Sequence, residues 1–162
     1  MNIFAIDDDP VVAAQGLCDQ HVVKMVTETA QMLCSAYHVA TQSPAPYKPT
    51  HVNHPCTKWA GRTRGNWDWL VDHGLALSAE YTYRYGKTHA SQSAIQWCKD
   101  RTSDIEGSRA IIGWPRERED FEQCVLPQYK QSDSVEAYRL YYRGEKLSFA
   151  RWKDTSRKPL WI

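Results

Sequence analysis

Hydrophobic and polar positions between Pro10 and Thr41 repeat with the period of an α-helix, and a break is expected near Gly16. From residue 19 to residue 41, at about 100° per residue, apolar side chains fill more than half of the circumference. That proportion indicates a helix that is mostly enclosed. The polar positions share one narrow sector, the first polar strip: His21, Lys24, Glu28, Gln31, Ser35 and His38. The strip is either the wall of a cleft or a solvated surface on which Lys24 and Glu28 pair.

A second long helical pattern runs from about Thr57 to Lys87, although three glycines weaken it. Its polar and aromatic positions also share one face, the second polar strip: Arg62, Asn66, Trp69, His73, Glu80 and Arg84. Two such strips would enclose a pocket if they faced each other. The segment EYTYRYGKTH adds candidate ligand-binding residues: Glu80, Tyr81, Arg84, Tyr85 and His89. The Arg84 fork suits a phosphate or carboxylate and the Tyr rings suit a stacked base, although Tyr at this density also serves plain helix packing.

The remaining segments predict loops and short helices. SPAPYKPTHVNHP (43–55) holds four prolines and predicts a long loop between the two main helices. MNIFAI is expected to pack on the core, residues 88–131 to form short helical pieces with a turn at 111–115, and the tail to pack through its two Trp. Asp133 and Glu136 have the spacing of a capping box before a helix through about Arg143. We find no strand alternation, so the prediction is an all-α, compact single-domain helical bundle spanning residues 1–162.

Composition limits the class of partner. Lys and Arg number 20 against 19 Asp and Glu, a net charge of +1, which argues mildly against a large duplex footprint and leaves a small anionic ligand open. Seven Trp and nine Tyr suit half-wet pockets and base-stacking walls as well as cores. The five Cys include no CxxC pair, which is typical of reduced thiols. Without a signal peptide or about 18 consecutive apolar residues, we expect a cytoplasmic protein with no membrane partner.

Metal and cofactor chemistry is not predicted. HVNHPC (51–56) has H-x-x-H-x-C spacing, but zinc requires three or four ligands and this spacing matches no zinc pattern. We therefore assign no metal ligand and no cofactor, and expect His51 or His54 to reach a neighbouring site. Phosphate loops and nucleophile elbows are absent. A Cys–His nucleophile pair stays open as an alternative, although nothing in the sequence marks one Cys as reactive.

Two short segments carry a resemblance to a known family. Asp19-Gln20-His21, followed by Glu28, resembles the first helix of the phage-type pyrimidine-dimer DNA glycosylases of the endonuclease V type. Tyr141-Tyr142-Arg143-Gly144 is similar to that family's C-terminal aromatic cluster. Residues 51–89 do not align by eye. The chain also resembles a group of bacteriophage proteins that share the HPC and EYTYRYGK segments, which adds no function.

The resemblance implies an all-α fold and base excision with strand cleavage. In the family the N-terminal α-amine attacks the sugar C1′ to form an imine, and one Glu assists. By position Met1 would supply the amine, Glu28 the carboxylate, and His21 would contact or orient the substrate. An α-amine with a pKa near 7.7–8 is a nucleophile at physiological pH, and a carboxylate stabilises the cationic imine. The further substrate-binding candidates are Lys24, Gln31, His54, Asn66 and Arg143.

The chain departs from the family at two positions. Asn2 stands where the family exposes a small residue after Met removal, so the nucleophile would be the amine of Met1 itself. Thr27 precedes Glu28 where the family has an Arg, which leaves Lys24 as the nearby cation. Two alternatives to a DNA glycosylase stay open: an enzyme acting on a free nucleotide, and a non-enzymatic phage protein that sequesters a nucleotide or blocks a host protein. The sequence makes no prediction of oligomeric state.

Overall fold

The computed structural model describes residues 1–162 and contains seven α-helices and no β-strand, which confirms the predicted all-α fold. The helices are α1 Pro10–Gly16, α2 Asp19–Thr41, α3 Pro55–Arg62, α4 Arg64–Tyr85, α5 Gln92–Asp100, α6 Thr102–Ser108 and α7 Ser134–Glu145. Two 3-10 turns, Pro127–Tyr129 and Thr155–Arg157, lie in the later loops. The break near Gly16 and the long loop before α3 are present as predicted.

The second long helical pattern does not form one helix, and that prediction is wrong. Thr63 separates α3 from α4 in an extended conformation, with φ −133° and ψ 158°. Its hydroxyl accepts the N–H of Asn66 at 2.9 Å and so caps α4. The N–H of Arg64 donates to the carbonyl of Pro115 at 2.7 Å instead of extending α3. A local cap and a bond to a distant loop interrupt the helix, and hydrophobic periodicity reports neither.

One hydrophobic cluster of 35 buried residues takes side chains from all seven helices and from the N-terminal segment 3–6. Helix α2 packs against α3, α4, α5 and α6, as its wide apolar arc predicts. Helices α2 and α4 approach closely at Gly74, where a Cβ would lie 2.7 Å from Thr29 Cγ2 and 2.9 Å from Ile95 Cδ1. Gly74 therefore holds α4 against the turn of α2 that carries Glu28.

The C-terminal part closes over the ends of α1 and α2. The Asp133 carboxylate accepts the N–H groups of Val135 and Glu136, which caps α7 as predicted. In the tail, Trp152 Nε1 donates to the carbonyl of Gly16 at 3.0 Å, and the N–H of Lys153 donates to the Asp19 carboxylate at 2.7 Å. The tail is therefore packed down, as its two Trp predicted.

Candidate active site at the N-terminus

The carboxylate of Glu28 lies beside the N-terminus of the chain. Its Oε2 is 3.8 Å from the α-amino nitrogen of Met1 and accepts the N–H of Asn2 at 3.0 Å. Its Oε1 is 3.2 Å from Nζ of Lys24, one turn earlier on α2. The Glu28 side chain is only 12% exposed, whereas that of Lys24 is 69% exposed. A half-buried carboxylate thus lies between the α-amine and an exposed cation.

Asn2 fixes the position of the N-terminus. Its side-chain oxygen accepts the N–H of Ile3 at 2.8 Å, and its side-chain nitrogen donates to the main-chain carbonyl of Cys124 at 2.8 Å. The following residues 3–6 are buried, so the segment is anchored in the core. Phe4 adopts a positive φ of 46°, which is rare outside glycine and bends the segment away from an extended path. The α-amine is therefore held in place before any substrate arrives.

His21 lies under this segment rather than on the surface. It is 7% exposed, and its ring stacks on Phe4 with centroids 4.4 Å apart. Its Nδ1 is 2.8 Å from the hydroxyl of Tyr142, which also accepts the N–H of Cys18 at 3.0 Å. Burial, with a smaller contribution from the charges of Lys146 and Lys24, lowers the pKa of His21 to about 4. A neutral imidazole thus connects α2, the N-terminal segment and α7.

An aromatic surface adjoins the N-terminus. The ring of Tyr141 stacks on Phe4 at 6.3 Å, and Tyr129 lies 5.6 Å from Tyr141. Nζ of Lys146 lies 4.8 Å from the Tyr141 ring, and Phe149, 39% exposed, contacts the edge of His21. The Tyr141-Tyr142 pair of α7 therefore packs against Phe4, although 137 or more positions separate them in the chain. Half-exposed rings beside a cation suit stacking with a nucleic-acid base and contact with its phosphates.

His54 also lies near the α-amine. It caps α3, since its Nδ1 accepts the N–H of Cys56 at 3.1 Å. Burial lowers the pKa of His54, the positive α-amine lowers it further, and the Glu28 charge acts in the opposite direction. Because both charges affect its pKa, His54 lies within electrostatic reach of the α-amine and of Glu28.

Arg84 and Glu80 are not available to a ligand. The Arg84 guanidinium, 1% exposed, donates to the carboxylates of Glu80 and Asp19, each at 2.9 Å. It also donates to the main-chain carbonyls of Leu17 at 2.9 Å and Gln15 at 2.8 Å, so four of its N–H groups have internal partners. Glu80 additionally accepts from Arg157 at 3.0 Å. This network ties α4 to the junction of α1 and α2, and the predicted phosphate-binding role of Arg84 is not supported.

Two further candidate residues, Asn66 of the second polar strip and Arg143 of α7, are also structural. Asn66 is fully buried, donates to the carbonyl of Trp59 and accepts the N–H of Glu119, both at 2.8 Å. Arg143 donates to the carbonyl of Trp161 at 3.0 Å and so holds the tail. The two polar strips therefore do not enclose one pocket.

The aromatic segment 80–89, at the C-terminal end of α4, packs along α2. Tyr81 and Tyr85 have ring centroids 5.1 Å apart, and Tyr81 contacts the edge of His89. His89 Nε2 is 2.9 Å from the carbonyl of Val23, so the cluster lies within two turns of Glu28. Gln31, half-buried, lies one turn on the other side.

Sequence reasoning missed three contributors to the site. Asn2 and Cys124 make a contact across 122 positions that no local pattern signals. Lys146 follows the Tyr-Tyr-Arg-Gly segment, where the family resemblance includes a Lys, and that signal could have identified it. Glu28 lines none of the five cavities of the molecule. The helices include none with the length and apolar character needed to cross a bilayer.

Comparison with known families agrees with this geometry. The model of the pyrimidine dimer DNA glycosylase family matches residues 1–93, more than half of the 162-residue chain. The protein therefore belongs to the pyrimidine dimer DNA glycosylase family, which confirms the resemblance seen in α2. Searches of curated proteins and of solved structures return no match. Membership supports a DNA glycosylase-type function in general terms, with DNA as the substrate.

Proposed function

We propose that the protein excises a damaged or modified base from DNA by N-glycosylase/AP-lyase chemistry, with the α-amine of Met1 as nucleophile and Glu28 as the assisting carboxylate. The supporting observation is that the first two residues of the chain both lie against the same carboxylate oxygen, Glu28 Oε2. Met1 N lies 3.8 Å from Glu28 Oε2, and the N–H of Asn2 donates to the same oxygen at 3.0 Å. A carboxylate so placed can stabilise a cation that forms at the α-amine.

The reaction then follows from these two groups. The neutral amine attacks C1′, and the bond from C1′ to the base breaks with its electron pair leaving on the base, which takes up the proton that the amine loses. The C1′–O4′ bond then opens as the nitrogen lone pair forms a double bond to C1′, and O4′ takes up a proton from water. The resulting iminium carries its positive charge next to the Glu28 carboxylate. Glu28 next accepts the C2′ proton while the C3′–oxygen bond breaks, which is the lyase step. Water finally hydrolyses the imine and restores the amine.

The surroundings of Glu28 suit a macromolecular substrate. Lys24, 69% exposed, is available to backbone phosphates, and Tyr141 and Phe149 offer rings for an unstacked base. Small-molecule sites are normally clefts, and Glu28 lines none of the five cavities of the molecule. The free-nucleotide alternative drew on the near-neutral charge and on a cluster of Arg84, Tyr81 and Tyr85, and the Arg84 guanidinium is committed to internal partners. Duplex DNA is therefore the better-supported substrate.

Borohydride trapping tests the nucleophile. Wild-type protein is incubated with UV-irradiated or abasic duplex DNA, reduced, and analysed by peptide mass for a covalent adduct at the N-terminus. We expect an adduct with both substrates, and none after the α-amine is acetylated. An adduct in the acetylated protein would contradict the proposal. The same mass spectrum shows whether Met1 is retained.

A Glu28→Gln variant tests the carboxylate. Gln keeps the shape of the side chain but removes its charge, so we expect base excision to be lost and the helical circular dichroism to be unchanged. Glu136→Gln is the matched control, because Glu136 is an exposed carboxylate that pairs only with Arg143. Full excision by Glu28→Gln would rule out the mechanism.

A further inference from the structure

Three metal-ligating side chains converge beside the N-terminus. His54 and Cys56 belong to the start of α3, and Cys124 belongs to the loop before the Pro127–Tyr129 turn. One nitrogen and two sulfurs of these residues lie within 4.8 Å of one another. The Cys56 thiol donates to Cys124 Sγ at 3.3 Å. The proposed excision reaction uses none of these side chains.

We propose that His54, Cys56 and Cys124 form a binding site for a borderline-soft divalent cation, Zn²⁺ in particular. Imidazole nitrogen and thiolate sulfur are the ligands that Zn²⁺ favours in proteins. The site needs no glycosylase activity and stands independently of the proposed function. It also differs from the sequence-based expectation, which considered the local spacing of HVNHPC and could not include Cys124.

The geometry is close to that of a tetrahedral site. Two sulfurs bound at about 2.3 Å to one tetrahedral ion lie about 3.8 Å apart. The two sulfurs are 3.3 Å apart, so binding requires a displacement of about half an ångström. Three protein ligands leave a fourth position for water or another small ligand, as in zinc sites with Cys₂His ligation.

Ligation by His54 would take the lone pair that now accepts the N–H of Cys56. Cysteine binds Zn²⁺ as the thiolate. Binding would release the thiol protons, and affinity should therefore fall as pH falls.

A bound ion would also stabilise the N-terminus indirectly. Cys124 accepts the side-chain amide of Asn2 through its main-chain carbonyl at 2.8 Å. A metal bridge from Cys124 to α3 would hold that carbonyl in place. Zn²⁺ should accordingly raise the melting temperature of the whole protein, because it binds the folded chain and not the separated ligands.

A second cysteine pair provides a matched control. Cys34 and Cys98 have sulfurs 3.8 Å apart and are both fully buried, but they are not part of any cluster with a His ligand. A substitution in this pair tests whether two close thiols alone are sufficient to bind the metal ion.

Two variants remove ligands of the proposed site. His54→Asn removes the imidazole while an Asn oxygen can still cap α3. Cys124 is partly exposed, so Cys124→Ser disturbs packing less than a change at the fully buried Cys56.

The test is a Co²⁺ titration of the full-length, chelator-treated protein under a phosphine reductant, followed by Zn²⁺ competition. We expect one Co²⁺ per chain with a thiolate-to-cobalt charge-transfer band that Zn²⁺ removes. His54→Asn and Cys124→Ser should lose stoichiometric binding, and Cys34→Ser should retain it. No uptake by the reduced wild type, or equal loss in Cys34→Ser, would overturn the proposal. A Cys56–Cys124 disulfide would also overturn it, if the disulfide forms in air and the reduced protein takes up no metal. The disulfide is detected as a mass lower by two hydrogens.

Discussion

Asn2 donates its main-chain N–H to Glu28 Oε2 at 3.0 Å, across 26 positions of the chain. This bond explains why α2 carries a polar strip on an otherwise enclosed surface. The N-terminal segment covers the first half of the strip, at His21 and Glu28. The Pro-rich loop covers the second half, where Ser35 donates to the carbonyl of Thr50 at 2.9 Å. The strip is thus a wall that other segments of the chain face.

Asn2→Asp should slow base excision without weakening DNA binding. The change keeps an oxygen for the N–H of Ile3 but removes the amide donor to the carbonyl of Cys124. We expect kcat to fall about tenfold with little change in KM, because the α-amine is less well positioned before attack. Steady-state and single-turnover kinetics measure the effect. Asn53→Asp, at an exposed loop position, is the control, and an unchanged kcat in Asn2→Asp would show that this contact does not position the amine.

Lys24→Gln should change the salt dependence of DNA binding more than the stability of the fold. Lys24 is largely exposed and pairs with Glu28 at i,i+4, a contact worth a few tenths of a kcal/mol. Loss of one phosphate contact should lower the slope of log affinity against log salt by about one. Fluorescence anisotropy at several salt concentrations measures this slope. Lys99→Gln, at an exposed position in the last turn of α5, should leave the slope unchanged, and equal slopes for both variants would exclude a phosphate contact by Lys24.

Arg84→Ala should strongly destabilise the protein. It would leave the carboxylate of Glu80, 3% exposed, without its α4 partner and would remove the bonds to Gln15 and Leu17. Breaking a buried ion pair in this way costs about 3–5 kcal/mol. Arg62→Ala is the control, because its ion pairs with Glu119 and Glu122 are exposed and worth about 1 kcal/mol or less. Urea unfolding that gives equal losses for the two variants would contradict a structural role of Arg84.

Stability should fall as the pH is lowered from about 7 to about 5. Burial lowers the pKa of both His21 and His73 to about 4 in the folded protein, below about 6.5 for the unfolded chain. The unfolded chain therefore binds protons first, and the stabilisation present above about pH 6.5 is lost as the pH falls toward 4. Between about pH 7 and about pH 5, each of the two His should contribute about 2 kcal/mol to the loss of unfolding free energy.

Urea unfolding at several pH values and NMR titration of the imidazole protons check this prediction together. The resonances of His21 and His73 should not shift above about pH 5. Titration of all six imidazoles near neutrality would show that the two buried rings accept protons without cost.

Local pattern and family resemblance predicted the part of the site that lies on α2. The apolar arc indicated an enclosed helix, and the spacing from His21 to Glu28 pointed to the carboxylate beside the α-amine. The internal bonds of Arg84 could not be predicted, because its partners at Gln15 and Leu17 are main-chain carbonyls, which have no signature in the sequence. The break at Thr63 was missed because it depends on the carbonyl of Pro115. The cluster of His54 with Cys124 spans 70 positions, so ligand spacing could not reveal it.

The contact between Asn2 and Cys124 has an evolutionary consequence. Asn2 binds the main-chain carbonyl of residue 124, which every amino acid possesses. This bond therefore requires no compensating change at position 2 when residue 124 is substituted, and the two positions should not covary, although metal binding would restrict position 124 on its own account. Side-chain pairs such as Arg139 with Asp7 should covary instead, since each partner needs the other's charge. The second half of the chain can thus diverge far in sequence and still close the site that residues 1–93 build.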